Sequence, residues 1–494
     1  MKASWKILGV LTLAFLLRAL QLDARNLWYD EAFAILYAEK SFAQMWHGTV
    51  TQAQGAAADV HPLFFYTLLH GWLNAVGESA FAARFFALWF SVATVAVVYR
   101  LAREQFGARV GWIAAVSVTL APFALAYGQE ARMYAQLGFF AALWTLAYVK
   151  LAQNGRRAWW LVFVLSGAAM LYSHNLAIFF GVALAIWILA RAWHSRNLQS
   201  LVSFFIAGAT ILLLWLPWLL LLPSQFGKIQ QAYWIARPDA LTIAQTLLAF
   251  TVDFDNARLP PSLLPFALLA ALLLLTLVGL ELWRGGWRAP RVRWLALLAF
   301  LPPLLLFLVS QWQPIYITRA LMPSFLMLLI LMAWMLARLP RAVAYTVATA
   351  LAALCVATYV FYFTYADFPR PPFRDALAFL RTQLRAGDVI AHDNKMSYFP
   401  MYYYARAEPL PQRFIMDPPG AGSDTLAYPT QEALGLFAAS RDEAFQDAAR
   451  VWFVMFREAR AETTRAENLE WLRQNYMLAQ TRNFHDLELY LFEK

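Results

Sequence analysis

Charge is what this sequence has least of: only 14% of its 494 residues are Asp, Glu, Lys or Arg, while 61% are hydrophobic. A soluble globular chain carries about 25% charged and about 45–50% apolar residues. The shortage of charge therefore excludes an ordinary soluble protein and predicts an integral membrane protein with one soluble domain. The net charge of +10 does not indicate a nucleic-acid partner, because basic residues concentrate in the cytoplasmic loops of membrane proteins.

Cysteine is almost absent. The single residue, Cys355, lies in an apolar run, which excludes a disulfide framework and argues against a cysteine metal cluster or thiol catalysis. The sequence also has no internal repeat. Near the N-terminus, Lys2 and Lys6 precede an apolar segment without a small-residue cleavage site, and Arg18 follows. We therefore predict an uncleaved first span rather than a signal peptide.

Apolar runs long enough for a bilayer, about 20 residues each, predict eleven transmembrane helices. Their predicted ranges are 7–22, 80–101, 110–127, 134–152, 158–174, 176–191, 199–222, 262–283, 294–311, 320–337 and 342–364. Every second connection is rich in basic residues: Lys2/Lys6, Arg100/Arg103/Arg109, Lys150/Arg156/Arg157, Arg191/Arg196, Arg284/Arg288/Arg291/Arg293 and Arg338/Arg341. The positive-inside rule then predicts a cytoplasmic N-terminus and a C-terminus outside.

Two predicted outer loops are long, at residues 23–79 and 223–261. The first contains an amphipathic segment, His61 to Gly77, for which we predict an interfacial helix with Pro62 in its first turn. We divide the chain into a transmembrane domain, residues 1–366, and a soluble extracytoplasmic domain, residues 367–494.

Composition becomes polar and charged after the joint "FPRPPF", and the tail alternates helical and strand patterns. This alternation predicts a small α/β domain. The predicted helices are "RDALAFLRTQLRAG", a segment around "FPMYYYA" and "QEALGLFAASRDEAF"; the predicted strands are "DVIAH", "RVWFVMF" and "LELYLFE".

Two acids stand just after the first span, in "NLWYDEAF". Asp30 and Glu31 lie in the first outer loop beside Tyr29, an aromatic residue suited to the headgroup level of a bilayer. They could be solvated loop acids, or acids that stabilise the N-terminus of the following helix. They could also be catalytic, because other polar groups cluster at the same face.

The third outer connection is tight and reads "YGQEARMY", which places Glu130, Arg132 and Tyr134 between two apolar spans. Ionisable groups at such a position are functional candidates, although Glu130 and Arg132 could simply pair at the interface. Arg319 precedes the tenth span on the same predicted side. Arginine binds phosphate oxygens and stabilises a leaving phosphate, and a carboxylate can remove an acceptor's proton. This combination predicts chemistry on an anionic lipid headgroup.

A second group, "DVHP", precedes the interfacial helix. Asp59 and His61 could be a turn acid and a structural histidine. Together with Glu130 they could also form a divalent-metal site of carboxylate and imidazole ligands.

Several segments resemble the GT-C class of polytopic glycosyltransferases, in the branch with protein O-mannosyltransferases and the lipid A aminoarabinose transferase. The resemblance covers roughly Leu17 to Ala152 and extends to the Arg319 region. It rests on "RALQLDARNLWYDEAF", "DVHPLFFYTLLHGWL", "FAARFFALWFSVATVAVVYRLAREQFGARVGWIAA" and "APFALAYGQEARMYA".

The resemblance implies inverting transfer of a sugar from a polyprenyl-phosphate carrier to an acceptor on the outer face of a bacterial-type inner or plasma membrane. It makes Asp30 the general base, with Glu31 beside it, and matches Glu130 to the second acidic position. The residues then expected to bind substrate are Glu130, Tyr134, Tyr29 and His61, together with Arg132 and Arg319, whose placement alone supports phosphate contact. The aminoarabinose branch has an acidic-basic-Pro-Pro stretch for metal and phosphate, whereas this sequence reads Val60-His61-Pro62-Leu63. Asp59 would have to replace the missing acid.

Three other functions remain open at this point. A lipid or sugar transporter would show repeated halves and polar groups at mid-membrane depth, whereas here the polar groups gather at one face. A ligase or phosphotransferase acting on a lipid-linked glycan would use the same kind of substrate. A scaffold whose outer domain binds a partner would need no reaction at all.

Overall fold

The computed structural model describes residues 2–53, 56–153, 156–196, 198–231, 235–253, 260–417, 426–445, 448–461 and 463–494. Parts of the predicted outer loop 223–261 lie outside these ranges. The chain divides into two compact units. The helical unit comprises Met1–Leu22, Arg84–Leu220 and Ile235–Phe363, and the mixed unit comprises Asp23–Ala83, Leu221–Trp234 and Thr364–Lys494.

The helical unit consists of apolar helices. The α-helices span Lys2–Ala19, Ala80–Phe106, Ala108–Leu120, Pro122–Gly128, Tyr134–Ala152, Ala158–Ser173, Ile178–Ser195, Leu198–Leu219, Ala240–Thr251, Leu264–Trp283, Pro290–Val309, Met322–Arg338 and Arg341–Thr364, and 3₁₀ turns span Asn175–Ala177, Gly286–Arg288 and Thr318–Leu321. Each of the eleven predicted spans coincides with helix, which confirms a polytopic α-helical membrane protein.

The number of spans is not confirmed. Among the described residues, eight helices are long and apolar enough to cross a bilayer, or nine if the bent pair Ala108–Leu120 and Pro122–Gly128 is one span. The predicted first span is a helix with three basic residues, Lys2, Lys6 and Arg18. The predicted fifth span, Ala158–Ser173, has only 16 residues. These two account for the difference from eleven.

Burial separates a central helix from peripheral ones. Met322–Arg338 is buried from Met322 to Leu336, whereas Leu198–Leu219 exposes large side chains such as Phe205 (73%) and Leu213 (67%). A helix that is apolar on all sides is either inside a large protein or facing lipid. The helical unit therefore has one helix at its centre and others whose apolar outer faces suit a bilayer.

A break in one predicted span positions the loop that follows it. The helices Ala108–Leu120 and Pro122–Gly128 meet at 58°. Pro122 has no amide hydrogen, so the carbonyl oxygen of Val118 has no helical donor. Arg18 replaces that donor: its Nη2 donates to Val118 O at 3.0 Å and its Nε to Ser91 Oγ at 2.6 Å. Arg18 is fully buried and holds this bend.

The mixed unit combines the first predicted outer loop with the tail. Its α-helices span Tyr29–Ala38, Phe42–Val50, Phe64–Val76, Leu222–Gln231, Phe373–Gln383, Lys395–Ala405, Tyr428–Leu434, Arg441–Phe445 and Thr463–Asn475, and a 3₁₀ turn spans Arg457–Ala461. Its strands are β1 (Gln52–Ala53), β2 (Ala56–Ala57), β3 (Val389–His392), β4 (Gln412–Phe414), β5 (Arg450–Phe456), β6 (Met477–Phe484) and β7 (Leu487–Glu493).

A five-stranded sheet in the order β4-β3-β5-β7-β6 forms the centre of the tail. β3 is parallel to β4 and β5, whereas β7 is antiparallel to β5 and β6. β5 is an almost unbroken apolar run because both of its faces are covered. Phe453 and Met455 pack on one side with Leu472, and Trp452 packs on the other with Leu377.

The predicted α/β tail is thus confirmed, with local differences. The predicted helix over 431–445 ends at Leu434, because Gly435 takes a left-handed conformation with φ +70°. The sequence patterns did not identify β4, β6 or the helix Thr463–Asn475. The predicted interfacial helix is Phe64–Val76, and Pro62 precedes it rather than lying in its first turn.

The division into units also differs from the predicted domains, residues 1–366 and 367–494. Residues 23–83 belong with the tail because ion pairs and aromatic contacts join them, as described next.

Candidate functional site

The two acids of the first loop lie in the first turn of the helix Tyr29–Ala38. The partial positive charge of a helix N-terminus favours acids there. The structural explanation that the acids stabilise the N-terminus of this helix therefore applies, rather than that of solvated loop acids. The two side chains nevertheless differ: Asp30 is half-buried, and Glu31 is fully buried. Of these two acids, only Asp30 therefore has a solvent-accessible side chain.

Glu31 has a buried partner that the sequence did not reveal. Its carboxylate accepts a hydrogen bond from Arg370, and the side chains of Glu31 and Arg370 are 0% and 8% exposed. The same Nη1 atom of Arg370 donates to Asn26 O at 3.2 Å, and the guanidinium lies 5.7 Å from the ring of Trp28. The "FPRPPF" joint was the available signal, since an arginine among prolines and aromatics needs a partner. Glu31, predicted to be catalytic, is engaged in an ion pair.

Tyr29 lies among residues of the tail. Its ring meets Phe399 edge-on, with the centroids 5.5 Å apart, and Lys395 Nζ lies 5.6 Å from the centroid of the Tyr29 ring. Lys395 is only 6% exposed and was missed in the sequence. Its signal was the polar run "HDNK", which begins with the last residue of a predicted strand. All four of these side chains are buried.

Asp59 and His61 form a hydrogen-bonded pair in the mixed unit. Asp59 Oδ1 accepts from His61 Nδ1 at 3.2 Å and from the Val60 amide at 2.7 Å. Lys228 lies close by and donates to the carbonyl oxygen of Ala58. Burial raises the pKa of Asp59, but the hydrogen bond and charge of His61 and the charge of Lys228 outweigh it and lower that pKa to about 2. Asp59 is therefore an ionised carboxylate that fixes the imidazole.

In the helical unit, Glu130 and Arg132 lie in the loop that follows the helix Pro122–Gly128, and both are buried. Gln129 anchors this loop, because its Nε2 donates to the carbonyl oxygens of Arg18 and Leu20 at 2.9 and 2.8 Å. The loop is tight: the Arg132 amide donates to Glu130 O at 2.7 Å. The bend at Pro122 and the hydrogen bonds of Gln129 thus fix the backbone that carries the acidic Glu130 and the basic Arg132.

Tyr134 connects this loop to Arg319. Arg319 is buried in the turn Thr318–Leu321, and its Cζ lies 5.4 Å from the centroid of the Tyr134 ring. On another side, the ring of His174 lies 6.0 Å from that of Tyr134. His174 was not predicted as a site residue. It lies between the helix Ala158–Ser173 and the 3₁₀ turn Asn175–Ala177. A histidine at such a junction between apolar helices was the sequence signal that could have identified it. The structure therefore brings together Tyr134 and Arg319 of the predicted substrate-binding residues.

The predicted metal ligands divide between the units: Asp59 and His61 belong to the mixed unit and Glu130 to the helical unit. In the described part of the chain, no group of three or more His, Cys, Asp or Glu side chains could hold a metal ion. The metal site stays a prediction, as do the roles of the individual site residues.

Comparison with known proteins agrees with this architecture. Residues 60–221 match the family of dolichyl-phosphate-mannose-protein mannosyltransferases. A comparison with curated protein sequences gave no match.

Solved structures share the fold across the full chain. ArnT from Cupriavidus metallidurans in the apo state is 12% identical with a TM-score of 0.64, covering 99% of this chain and 98% of that one. The same protein bound to undecaprenyl phosphate gives 13% and 0.63 over the same shares. The archaeal oligosaccharyltransferase AglB from Archaeoglobus fulgidus, in complex with an inhibitory peptide and a dolichol-phosphate, is 13% identical with a TM-score of 0.54, covering 94% of this chain and 71% of that one. Part of the chain is thus similar to a mannosyltransferase family, and the chain shares the fold of ArnT and AglB.

Proposed function

We propose that this protein is an inverting glycosyltransferase that moves a sugar from a polyprenyl-phosphate carrier to an acceptor lipid, glycan or protein. The observation that carries this proposal is the match of residues 60–221 to the mannosyltransferase family. The fold it shares with ArnT, whose solved form binds undecaprenyl phosphate, supports a lipid-phosphate donor.

Asp30 is the proposed general base. It is half-buried at a helix N-terminus, and a positioned carboxylate can take the proton of an attacking hydroxyl or amine. The acceptor atom forms its bond to the anomeric carbon while the bond from that carbon to the phosphate oxygen breaks. The proton passes to Asp30, and the carrier phosphate leaves with the bonding electrons. One displacement inverts the anomeric configuration without a covalent sugar–enzyme intermediate.

Arg132 and Arg319 are the proposed phosphate ligands. Both guanidinium groups are buried, where a charge-assisted hydrogen bond to phosphate is stronger than in water. The ring of Tyr134 beneath Arg319 orients that guanidinium by a cation–π contact. Glu130 is proposed to position the loop, and the Asp59–His61 pair to present imidazole to the donor.

A divalent cation is a further proposal, with Asp59 and His61 as the residues of the mixed unit that would hold it. Carboxylate and imidazole groups suit such an ion. Asp59 Oδ2 is buried, and among the described residues it has no hydrogen-bond partner, so it fits a cation ligand. A bound cation would neutralise charge on the donor phosphate.

The proposed place of reaction is the outer face of a bacterial-type inner or plasma membrane. The alternation of basic connections supports an N-terminus inside and a tail outside. Fusing a reporter that works only in the cytoplasm to the C-terminus tests this arrangement, and reporter activity there would contradict it.

The function is tested by incubating purified protein with a panel of polyprenyl-phosphate sugars and acceptors, with and without chelator. We expect sugar transfer with release of polyprenyl phosphate. Release of free polyprenol would indicate a phosphotransferase instead, and release of polyprenyl pyrophosphate from an added polyprenyl-pyrophosphate-linked glycan would indicate a ligase. Movement of intact donor into reconstituted vesicles without cleavage would indicate a transporter. Asp30→Asn should abolish transfer without changing insertion. Asp23→Asn is the matched control, because Asp23 is an exposed acid of the same loop.

A further inference from the structure

We propose that Arg370 of the tail is a positioning residue for Asp30 and acts through Glu31. This inference rests on the proposed function, in which Asp30 is the base. It gives Glu31 a role different from catalysis, and it gives the tail a part in the reaction.

The first observation is the burial of the Glu31–Arg370 pair, both of whose side chains lie almost entirely out of solvent. Taking two charges out of water is expensive and is repaid only by good geometry and further hydrogen bonds. Arg370 has such a bond to Asn26 O. Because Glu31 follows Asp30 directly, the guanidinium contacts the chain on both sides of Asp30, at the Asn26 carbonyl oxygen and at the Glu31 carboxylate.

The second observation is that Arg370 itself has little freedom. It lies in the segment Phe368–Phe373, which contains three prolines. Its amide donates to Asp367 O at 2.9 Å, and the Phe373 amide donates to Pro371 O at 2.7 Å. The arginine is therefore held by a stiff, hydrogen-bonded segment, as a positioning residue requires.

Two further contacts hold the helix Tyr29–Ala38. Tyr404 OH accepts from the Leu27 amide at 2.8 Å, just before the helix. At the other end, Arg406 pairs with Glu39, the C-cap residue. The tail thus contacts the Asp30 helix at both ends, and the buried Glu31–Arg370 ion pair adjoins the proposed base.

A general base must lie within hydrogen-bond reach of the proton that it removes. A shift of about 1 Å at such a group can cost a hundredfold in rate. Loss of the pair should therefore reduce kcat and leave the KM for the donor unchanged, because neither Glu31 nor Arg370 is assigned to donor binding.

The experiment is a double-mutant cycle with Glu31→Gln and Arg370→Gln, read by kcat, donor KM and hydrogen exchange of the amides at residues 29–38. We expect each single variant to lower kcat by about tenfold to a hundredfold and to speed exchange in that helix. The double variant should be no worse than either single one, because neither buried charge is then left without its partner. Arg370→Lys, which keeps the charge, should recover part of the rate.

Arg374 and Asp23 supply the matched control. They join the same two segments, with Arg374 Nη2 to Asp23 Oδ1 at 3.2 Å, but their side chains are 38% and 54% exposed. Arg374→Gln should change kcat by less than about twofold, since exposed pairs contribute little.

The outcomes separate the possible failures. Unchanged exchange in the helix, or effects that add in the double variant, would overturn the positioning role. A far larger loss in Glu31→Gln than in Arg370→Gln would also overturn it, since Glu31 would then act directly. If the wild-type protein transfers no sugar but exchange is still faster in the variants, the proposed function is rejected while the role of Arg370 in holding the helix stands.

Discussion

The carboxylate of Asp486 accepts a 2.6 Å hydrogen bond from the backbone amide of Phe368. Asp486 lies in the turn between β6 and β7, and its bond ties that turn to the segment that carries Arg370. Burial raises the pKa of Asp486 to about 6; the bond from Phe368 opposes this shift, and the charge of Asp367 adds to it.

This raised pKa makes the stability of the mixed unit depend on pH. The folded carboxyl binds its proton more tightly than the unfolded one, whose pKa is 3.8. The resulting stabilisation is fully present below about pH 4 and is lost as the pH rises through about 6. Asp486→Asn keeps an acceptor for the Phe368 amide and cannot ionise. We expect the variant to be more stable than wild type at pH 7.5 and equal to it near pH 4, by thermal unfolding in detergent at both values. A constant difference would contradict the shift.

Gly48 allows two helices of the mixed unit to touch. A Cβ atom at this position would lie 2.7 Å from Ala433 Cβ and 2.7 Å from the hydroxyl of Tyr37. Gly48→Ala should therefore lower the unfolding temperature, with a packing cost of about 1–3 kcal/mol. Gly71→Ala is the control: Gly71 is also helical, and nothing lies within 4 Å of its added Cβ. That variant should be neutral or slightly more stable, since alanine favours helix. Equal losses in both variants would contradict the close approach at Gly48.

Arg18 should matter for folding rather than for catalysis. Arg18→Met removes the donors to the carbonyl oxygens of Val118 and Thr119 and to Ser91. Each unsatisfied polar group in an apolar interior costs about 1–3 kcal/mol, so we expect a large loss of folded protein on extraction. Size-exclusion chromatography in detergent measures it. Arg18→Lys retains one donor group and should fall between wild type and Met; a fully stable Arg18→Met protein would refute the role.

Arg319 is expected to act on the donor phosphate. Arg319→Gln should lower kcat/KM for a polyprenyl-phosphate sugar by about 10²–10³-fold, the loss typical of one charge-stabilising group. Arg338→Gln is the control: Arg338 ends the helix Met322–Arg338, which directly follows the turn of Arg319, and it also lies over an aromatic ring, that of Trp334 at 5.1 Å. It should retain most activity. Similar losses in both variants would indicate a general effect of removing an arginine.

The helical unit was largely predictable because its signals are local. A run of apolar residues specifies a span wherever it occurs, and all eleven predicted ranges coincide with helix. The exact ends of the helices were harder to predict from the sequence. Pro122 is one residue in an apolar run, and the bend at this proline is tolerated because Arg18, about a hundred residues earlier, donates hydrogen bonds there.

The mixed unit was harder to predict because long-range contacts define it. The strand β6 lies at the edge of the sheet with most of its side chains exposed, so it lacks the apolar alternation of a half-buried strand. Asp30 could be identified from its motif, whereas the partners of Arg370 and Lys395 could not, because nothing near these two residues in sequence indicates which side chains they contact. A single sequence shows that Glu31 needs a counter-charge, but not which of the 40 basic residues supplies it.

The three-part composition of the mixed unit imposes an order on its assembly during synthesis. The Ala58 carbonyl cannot bond to Lys228 until the ribosome has added 170 more residues, and Glu31 cannot pair with Arg370 until it has added 339 more. At about 5–20 residues per second, the second interval is roughly 17–70 s. Throughout that time the newly made segment around Asp30 has an acid without its counter-ion and an uncovered aromatic face. A nascent chain stalled before residue 370 should therefore depend on chaperones that a completed chain no longer needs.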